Sequence, residues 1–213
     1  ALLSHKKIEW KRNLKICLML DSSGKLSDVD CNRPRPFMCY RKITNTDVTV
    51  CGTPDPEYHF ETRTNKCYKF HTNPRKYRRA AFTCHAEGGH LAIINSQEES
   101  QVIAEIFAKN PSAKLVSATW KEVAYVGFHN WGESADWTTI HGQSLKEAGF
   151  STFAGGQPDN STTGESCGMV MRNGLLGDLM CDFHYAFICE KSPSFPPVCD
   201  NSDDEFSLGL QSN

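Results

Sequence analysis

A polar, glycine-rich stretch at residues 154–168, AGGQPDNSTTGESCG, contains an unusual concentration of oxygen-bearing side chains. It holds a Gln-Pro-Asp triplet at 157–159, a further acid at Glu165 and a cysteine at Cys167. The stretch is too irregular for a helix or a strand, so it predicts a loop. Carboxylate and amide oxygens are the ligands that a hard cation such as Ca²⁺ takes. The alternative is an ordinary turn, because proline and aspartate are typical turn residues.

The same stretch also matches G-x-S-x-G, the pattern of a nucleophile elbow, at residues 164–168. Such an elbow needs a strand before the serine and a helix after it, on a parallel sheet. Here a polar loop precedes Ser166, and its neighbour Cys167 is expected to form a disulfide. We therefore predict that the chain is not an enzyme and has no catalytic residue.

Two further groups of side chains could carry chemistry. His129, His141 and His184 are candidate ligands or bases, but isolated histidines are more often ordinary surface or core residues. The run NPRKYRRA at residues 73–80 is strongly basic. It fits either a solvated helix start or a contact for phosphate or an anionic glycolipid.

Composition excludes several function classes. The 213 residues are 39% hydrophobic, enough for a core, and the net charge of -2 gives no broad case for binding nucleic acid. No apolar run approaches the roughly 18 residues of a membrane span. The chain starts at Ala1 without a signal-peptide pattern, so we expect a processed form or a fragment.

The ten cysteines indicate an oxidising, extracellular environment. Zinc binding is the rival interpretation, but there is no C-x-x-C pair and the eight histidines lack ligand spacing. We therefore predict a secreted, disulfide-bonded protein.

The cysteine spacing reveals an internal repeat. Two groups of three cysteines have the same separations of 14 and 8 residues. The first group is Cys17, Cys31 and Cys39, and the second is Cys167, Cys181 and Cys189. The two sets are offset by 150 residues, and the same offset places Gly24, Leu26 and Asp28 on Gly174, Leu176 and Asp178. The agreement of both gaps and the flanking residues indicates duplication.

The repeat predicts the domain organisation. Residues 51–192 form a complete domain, and residues 1–42 are the C-terminal part of an incomplete first domain. Residues 43–50 are a linker, and residues 193–213, rich in proline, serine and aspartate, are a disordered tail.

Hydrophobic patterning within the complete domain predicts an α+β fold. A strand hairpin covers residues 58–70, and a helix runs from about Asn73 to Glu87. A capping box of Ser96 and Glu99 starts a second helix that ends before Asn110-Pro111. Strands at VAYVGF, CGMVM and YAFICE follow, with a long loop at roughly 130–166.

Taken together, these residues resemble a C-type lectin domain. The resemblance covers residues 51–191 and the end of a second copy at 1–42. It rests on Cys84 in the first helix, VGF, the Gln-Pro-Asp triplet, LLGDLMC and the closing Cys189. Two tandem copies resemble the insect immune lectins, the immulectins and haemolymph lipopolysaccharide-binding lectins. The fold implied has two helices, antiparallel sheets and a long-loop subdomain.

The resemblance implies a set of disulfides, with Cys51 and Cys67 marking the long form of the domain. The implied pairs are Cys84–Cys189, Cys167–Cys181, Cys51–Cys67 and, by the repeat, Cys17–Cys31. Cys39 and Cys199 are left without partners.

The resemblance also implies a calcium and sugar site. Its ligands are Gln157, Asp159, Glu165 and Asp178, with a cis peptide bond at Pro158. The same side chains would bind sugar hydroxyls, and in this family Gln-Pro-Asp goes with galactose-type sugars. Subtracting 150 places Lys15 on Glu165, and Lys7, Ile8 and Glu9 on the triplet, so residues 1–42 should carry no calcium site.

Two departures from the family pattern concern this site. Gly177 stands where the family has an asparagine, which removes an amide ligand, so we expect weakened calcium and galactose binding that Gly177→Asn would tighten. Weak binding at one site favours several sites acting together, as in an oligomer. Asn160 begins a glycosylation sequon beside the ligands.

The sequence therefore predicts a secreted, calcium-dependent, galactose-type lectin. By resemblance it would act in innate immune pattern recognition of microbial surface glycans or lipopolysaccharide, in a haemolymph-like fluid. The alternative is a calcium-independent C-type-lectin-like domain that binds a protein or a lipid.

Overall fold

A computed structural model describes residues 16–21, 23–30, 48–131, 136–161 and 164–194. The chain divides into two compact units, Ala1–Asn45 and Thr46–Asn213, and this boundary falls inside the predicted linker. Three sequence-based predictions lie outside the described residues: the Cys17–Cys31 pair, the absence of partners for Cys39 and Cys199, and the tail beyond residue 194.

The described part of the first unit is a β-hairpin. Strand β1 (Ile16–Leu20) pairs antiparallel with β2 (Leu26–Asp30), and Cys17 lies opposite Val29. Gly24 lies in the connecting turn with φ of 79°, a conformation that glycine adopts without steric cost.

The second unit contains one twisted sheet with helices on both faces. The remaining strands are β3 (His59–Glu61), β4 (Lys66–Arg75), β5 (His90–Leu91), β6 (Val123–His129), β7 (Thr138–Thr139), β8 (Glu165–Met171), β9 (Leu176–Met180) and β10 (Tyr185–Lys191). Their order is β3-β4-β10-β6-β8-β9, with β5 on β10 and β7 on β6. Only the β10–β6 pair is parallel among the described strands. The predicted α+β class with antiparallel sheets is confirmed.

The helices are α1 (Tyr77–Ala86), α2 (Gln97–Ala108) and the short α3 (Leu145–Ala148). The predicted start of the first helix at Asn73 is wrong, because β4 continues to Arg75, which pairs with Tyr185 of β10. α3, which the sequence analysis did not predict, has a complete capping box of Ser144 and Glu147.

The predicted capping box of α2 is only half present. The Ser96 hydroxyl accepts a hydrogen bond from the Glu99 N–H at 3.1 Å. The Glu99 carboxylate, however, accepts from the Asn95 N–H, from the Tyr68 hydroxyl and from Lys66. Glu99 is 1% exposed, so tertiary ion pairing has replaced the local cap.

The core lies on both faces of the sheet because side chains alternate along each strand. On β6, Ala124 and Val126 pack in the cluster that contains α2, whereas Val123 and Tyr125 pack in the cluster that contains α1. Disulfides Cys51–Cys67, Cys84–Cys189 and Cys167–Cys181 join these elements, as the resemblance implied. No helix in the described part of the chain has the length and apolar character needed to cross a bilayer.

Candidate functional site

Asp178 of β9 holds the Gln-Pro-Asp part of the loop that precedes β8. The carboxylate of Asp178 accepts hydrogen bonds from the N–H groups of Asp159 at 3.1 Å and Asn160 at 2.9 Å. The N–H of Asp178 donates to Oε1 of Gln157 at 2.9 Å. Asp178 is 3% exposed. It therefore fixes both ends of the Gln-Pro-Asp triplet, whose Gln157–Pro158 peptide bond is cis.

This arrangement brings three carboxylates together. Asp159, Glu165 and Asp178 each offer an oxygen, and these oxygens lie within 4.8 Å of one another. Calcium–oxygen distances are about 2.3–2.6 Å, so two ligands of one ion lie at most about 5 Å apart. The oxygens are therefore close enough to share one calcium ion, and three hard anionic ligands suit that ion.

The fourth predicted ligand, Gln157, is used differently. Its amide oxygen faces the β9 backbone and bonds the Asp178 N–H. A Cβ added to Gly177 would lie 2.5 Å from this oxygen and 2.2 Å from Cε of Met169. The Gln157 amide and the Met169 methyl group thus occupy the space that a side chain at residue 177 would take. The expected gain from Gly177→Asn therefore requires that the new side chain first displace Gln157 and Met169.

Ser161, which the sequence analysis did not assign, and Asn160, which it named only as a glycosylation acceptor, order the loop. Ser161 donates its N–H to Asp159 at 3.2 Å and its hydroxyl to Glu165 at 3.2 Å. The Asn160 side-chain oxygen accepts from the N–H groups of Gly164 at 3.2 Å and Glu165 at 3.3 Å. Asn160 has φ of 43°, which asparagine tolerates better than most residues. The Asn-Ser dipeptide was the available signal, because both are loop-forming residues.

A second group of potential ligands does not suit a metal. His71, Glu87 and Cys189 lie close together, but Cys189 is bonded to Cys84 and offers no thiolate. The His71 ring stacks on Phe187 and lies 3.0 Å from the Glu87 carboxylate, and burial lowers the pKa of His71. Glu87 also accepts from Tyr58 and pairs with Lys69. These residues form a buried polar network.

Ser166 is not placed as a nucleophile elbow requires. It lies within β8, which pairs antiparallel with β6 and β9 and is followed by β9 rather than a helix. Its hydroxyl lies 3.4 Å from the Gly164 carbonyl oxygen.

The three candidate histidines lie in different surroundings. His129 stacks on Trp131, and His141 packs against His90. Partial burial lowers the pKa of both His129 and His141. His184 is exposed beside α1. The structure gathers none of the three at the carboxylate cluster.

The fold and its three disulfides agree with a known family of domains. Residues 73–191 match the sequence profile of the family described as Lectin C-type domain. This match covers more than half of the chain, so the chain belongs to the C-type lectin domain family.

Individual relatives agree with this assignment. A hemolymph lipopolysaccharide-binding protein of Periplaneta americana is 38% identical over 124 residues, which are 58% of this chain and 48% of that protein. The chain thus spans about half the length of this relative. The carbohydrate-recognition domain of the mouse scavenger receptor C-type lectin is 27% identical, with a TM-score of 0.53 over 65% of this chain and 97% of that one.

The fold also occurs without calcium dependence. A calcium-independent type II antifreeze protein aligns with a TM-score of 0.51 and 18% identity, over 65% of this chain and 93% of that one. At this identity the likeness concerns the fold alone.

Proposed function

We propose that the chain is a calcium-dependent carbohydrate-binding lectin. The observation that carries the proposal is the grouping of Asp159, Glu165 and Asp178 with oxygens within 4.8 Å of one another. A bound calcium ion would offer its remaining coordination positions to two neighbouring hydroxyls of a sugar. The residues of the chain would hold the ion and accept hydrogen bonds from those hydroxyls.

We further propose a preference for galactose-type sugars and a role in the extracellular recognition of microbial surface glycans. The Gln-Pro-Asp triplet supports the first. The similarity to a protein named for binding lipopolysaccharide in hemolymph supports the second. Three disulfides are consistent with an oxidising, extracellular environment. A glycan on exposed Asn160 would lie beside Asp159, and peptide mass spectrometry of the secreted protein would detect it.

A calcium-independent binding function is the second candidate. It is favoured by Gly177, which provides no ligand side chain, and by Gln157, whose amide oxygen bonds the backbone of β9. Under this function the carboxylates would serve only to hold the loop, as Asp178 does through its hydrogen bonds to residues 159 and 160.

Calcium titration by calorimetry distinguishes the two candidates. We expect binding to the parent chain and at least about a tenfold loss of affinity in Glu165→Gln, because ligand charge sets calcium affinity. Glu98→Gln, at an exposed acid in the first turn of α2, is the matched control and should bind as the parent does. Absence of calcium binding in the parent would favour the calcium-independent function.

A glycan array with and without a chelator tests the sugar preference. We expect galactose-terminated glycans to be retained in calcium and released by the chelator, with Glu165→Gln retaining none. Retention that persists in the chelator would contradict the proposed mechanism, and retention of mannose-terminated glycans alone would contradict the galactose preference.

A further inference from the structure

A groove beside helix α1 is distinct from the carboxylate cluster. It has a volume of about 740 Å³ and is lined by side chains from the end of β4, one side of α1 and the turn before β10. The lining residues that matter are Arg75, Lys76, Arg79, Phe82, Thr83 and His184. None of the three clustered carboxylates belongs to this lining. The volume lies in the range of small-molecule sites, about 300–1,000 Å³.

The positive charges of the groove are largely uncompensated. Within the described part of the chain, neither the Arg75 nor the Arg79 guanidinium has an ion-pair partner within 4.0 Å. Lys76 lies 3.4 Å from Asp182, but the two side chains are 48% and 83% exposed, so this pair is weak. The groove therefore presents guanidinium groups that are available to an anion.

The one acid at the groove is already engaged. Glu87 accepts a hydrogen bond from the Tyr58 hydroxyl at 2.9 Å and pairs with Lys69 at 3.4 Å. Its other contact is the His71 ring, at 3.0 Å. Glu87 pairs with Lys69, which Asp55 and Glu57 share, and no ion pair within 4.0 Å joins it to Arg75 or Arg79 in the described part of the chain.

One wall of the groove is apolar. Phe82 is 54% exposed, and the Arg78 guanidinium lies over its ring at 5.5 Å from the centroid. A ligand that combines an anionic group with an apolar or sugar-ring surface would contact both the arginines and this ring. Arginine binds phosphate and carboxylate groups alike through two parallel N–H···O bonds, and a phosphate has enough acceptor oxygens to bind two guanidinium groups at once.

We propose that this groove binds a phosphate group of a phosphorylated glycolipid, at a site separate from the proposed calcium and sugar site. Arg75 and Arg79 bind the phosphate oxygens, and Phe82 contacts the adjoining sugar or acyl surface. The volume accommodates a phosphorylated sugar head group rather than a bare anion. A glycolipid with both sugar and phosphate could then engage the chain at two places.

Binding of diphosphorylated lipid A, measured in EDTA, tests the proposal, because the chelator removes any calcium-dependent contribution. We expect the double variant Arg75→Glu/Arg79→Glu to lose at least about tenfold in affinity, since each charge-assisted contact contributes. The matched control is Lys109→Glu/Lys146→Glu, with the same charge change on exposed residues away from the groove. It should bind as the parent does.

Two further binding measurements, each with a different ligand, identify the chemical group that the groove recognises. Dephosphorylated lipid A should not bind, and glucose 1-phosphate at millimolar concentration should compete with lipid A. Binding should also weaken as salt rises, because exposed charges are screened. Three outcomes would each overturn the proposal. The arginine double variant could bind as well as the lysine double variant, the dephosphorylated lipid could bind as well as lipid A, or glucose 1-phosphate could fail to compete.

The variants separate this proposal from the calcium proposal. Glu165→Gln should retain lipid A binding in EDTA, and Arg75→Glu/Arg79→Glu should retain calcium binding. Arg79 lies in the first turn of α1, where a glutamate interacts favourably with the helix dipole, so folding should survive. Thermal unfolding of the double variant within a few degrees of the parent would verify this.

Discussion

The hairpins β1–β2 and β8–β9 share four consecutive residue pairs, displaced by a constant number of residues. The next pair differs, because a register shift places Glu165 opposite Met180. Cys17 lies opposite Val29 as Cys167 lies opposite Leu179, and the next three pairs follow the same rule. Those pairs are Leu18–Asp28, Met19–Ser27 and Leu20–Leu26 in the first hairpin, and Gly168–Asp178, Met169–Gly177 and Val170–Leu176 in the second. Each of these residues in the second hairpin is 150 residues beyond its counterpart.

The turns of the two hairpins agree as well. Gly24 and Gly174 have φ of 79° and 82°. Their N–H groups donate to the carbonyl oxygens of Asp21 at 3.0 Å and Met171 at 2.9 Å. This agreement supports our inference that residues 1–42 are the C-terminal part of a second C-type lectin domain.

The difference between the hairpins lies in what surrounds them. β9 is joined to the Gln-Pro-Asp loop through Asp178, and β8 begins with Glu165. The repeat places Lys7, Ile8 and Glu9 on the triplet and Lys15 on Glu165. A lysine at a ligand position repels a cation. We therefore expect that the hairpin is a common scaffold and that the residues preceding it decide whether a site exists.

The largest effect is expected from the disulfide that ties the complete domain together. Cys84–Cys189 closes a separation of 105 residues, whereas Cys167–Cys181 closes only 14, the spacing that Cys17 and Cys31 repeat. In the chain-entropy model the long loop contributes about 4–5 kcal/mol and the short one about 3 kcal/mol. Urea unfolding should show a larger loss for Cys84→Ala/Cys189→Ala than for Cys167→Ala/Cys181→Ala. Equal losses would contradict this ranking.

A second effect concerns the pH dependence of stability. Burial raises the pKa of Glu190 to about 7, against attraction from Lys66 at 3.1 Å. Between the unfolded pKa near 4.5 and this value, only the folded state holds the proton, so raising the pH lowers the free energy of unfolding. The repeat places a tyrosine, Tyr40, on Glu190.

The variant Glu190→Gln isolates this contribution. From pH 5 to pH 7 the parent should lose roughly 2 kcal/mol of stability relative to the variant. His71 and His90, whose pKa values burial lowers, act in the opposite direction below pH 6.5. His71 is common to both proteins, but His90 Nε2 lies 3.6 Å from Glu190, so the comparison is made in a His90→Gln background. Urea unfolding at several pH values measures the difference, and a difference independent of pH would refute a raised pKa.

The third prediction compares two aspartates that the repeat places at the same position, Asp178 and Asp28. Asp178→Asn should lower calcium affinity at least about tenfold, because it removes one of three clustered carboxylates. Asp28→Asn, at the position 150 residues earlier, should leave calcium affinity unchanged. Calorimetry on both variants tests the inference, and an effect of Asp28→Asn would show that the first unit also carries a site.

The smallest effect concerns the positions of Gly177 and Ser27. A Cβ at Gly177 meets Gln157 and Met169 at 2.5 and 2.2 Å, so Gly177→Ala should cost about 1 kcal/mol of stability. Ser27→Ala, where a Cβ is already present, should change stability by no more than about 0.5 kcal/mol. If thermal unfolding finds Gly177→Ala as stable as the parent, Gln157 does not rest against β9 as described.

The sequence by itself determined the local features of the fold. Ser96 starts α2, and the alternation of Tyr58, Phe60, Tyr68 and Phe70 predicts the β3–β4 hairpin. The spacing of the cysteines aligns Gly24 with Gly174, and both glycines lie in equivalent turns. These features succeed because caps, turns and strand alternation depend on residues only a few positions apart.

Only the tertiary structure decided the partners that lie far apart in the chain. Gln157 bonds a backbone N–H 21 residues away instead of joining the carboxylates. Glu99 leaves its cap for Lys66 and Tyr68, and Arg75 is drawn into β4 by its pairing with β10. Glu99 is buried, so leaving its carboxylate unpaired would cost more than a local bond contributes, whereas Arg75 is placed by the backbone pairing of β4 with β10. No pattern of neighbouring residues encodes that choice.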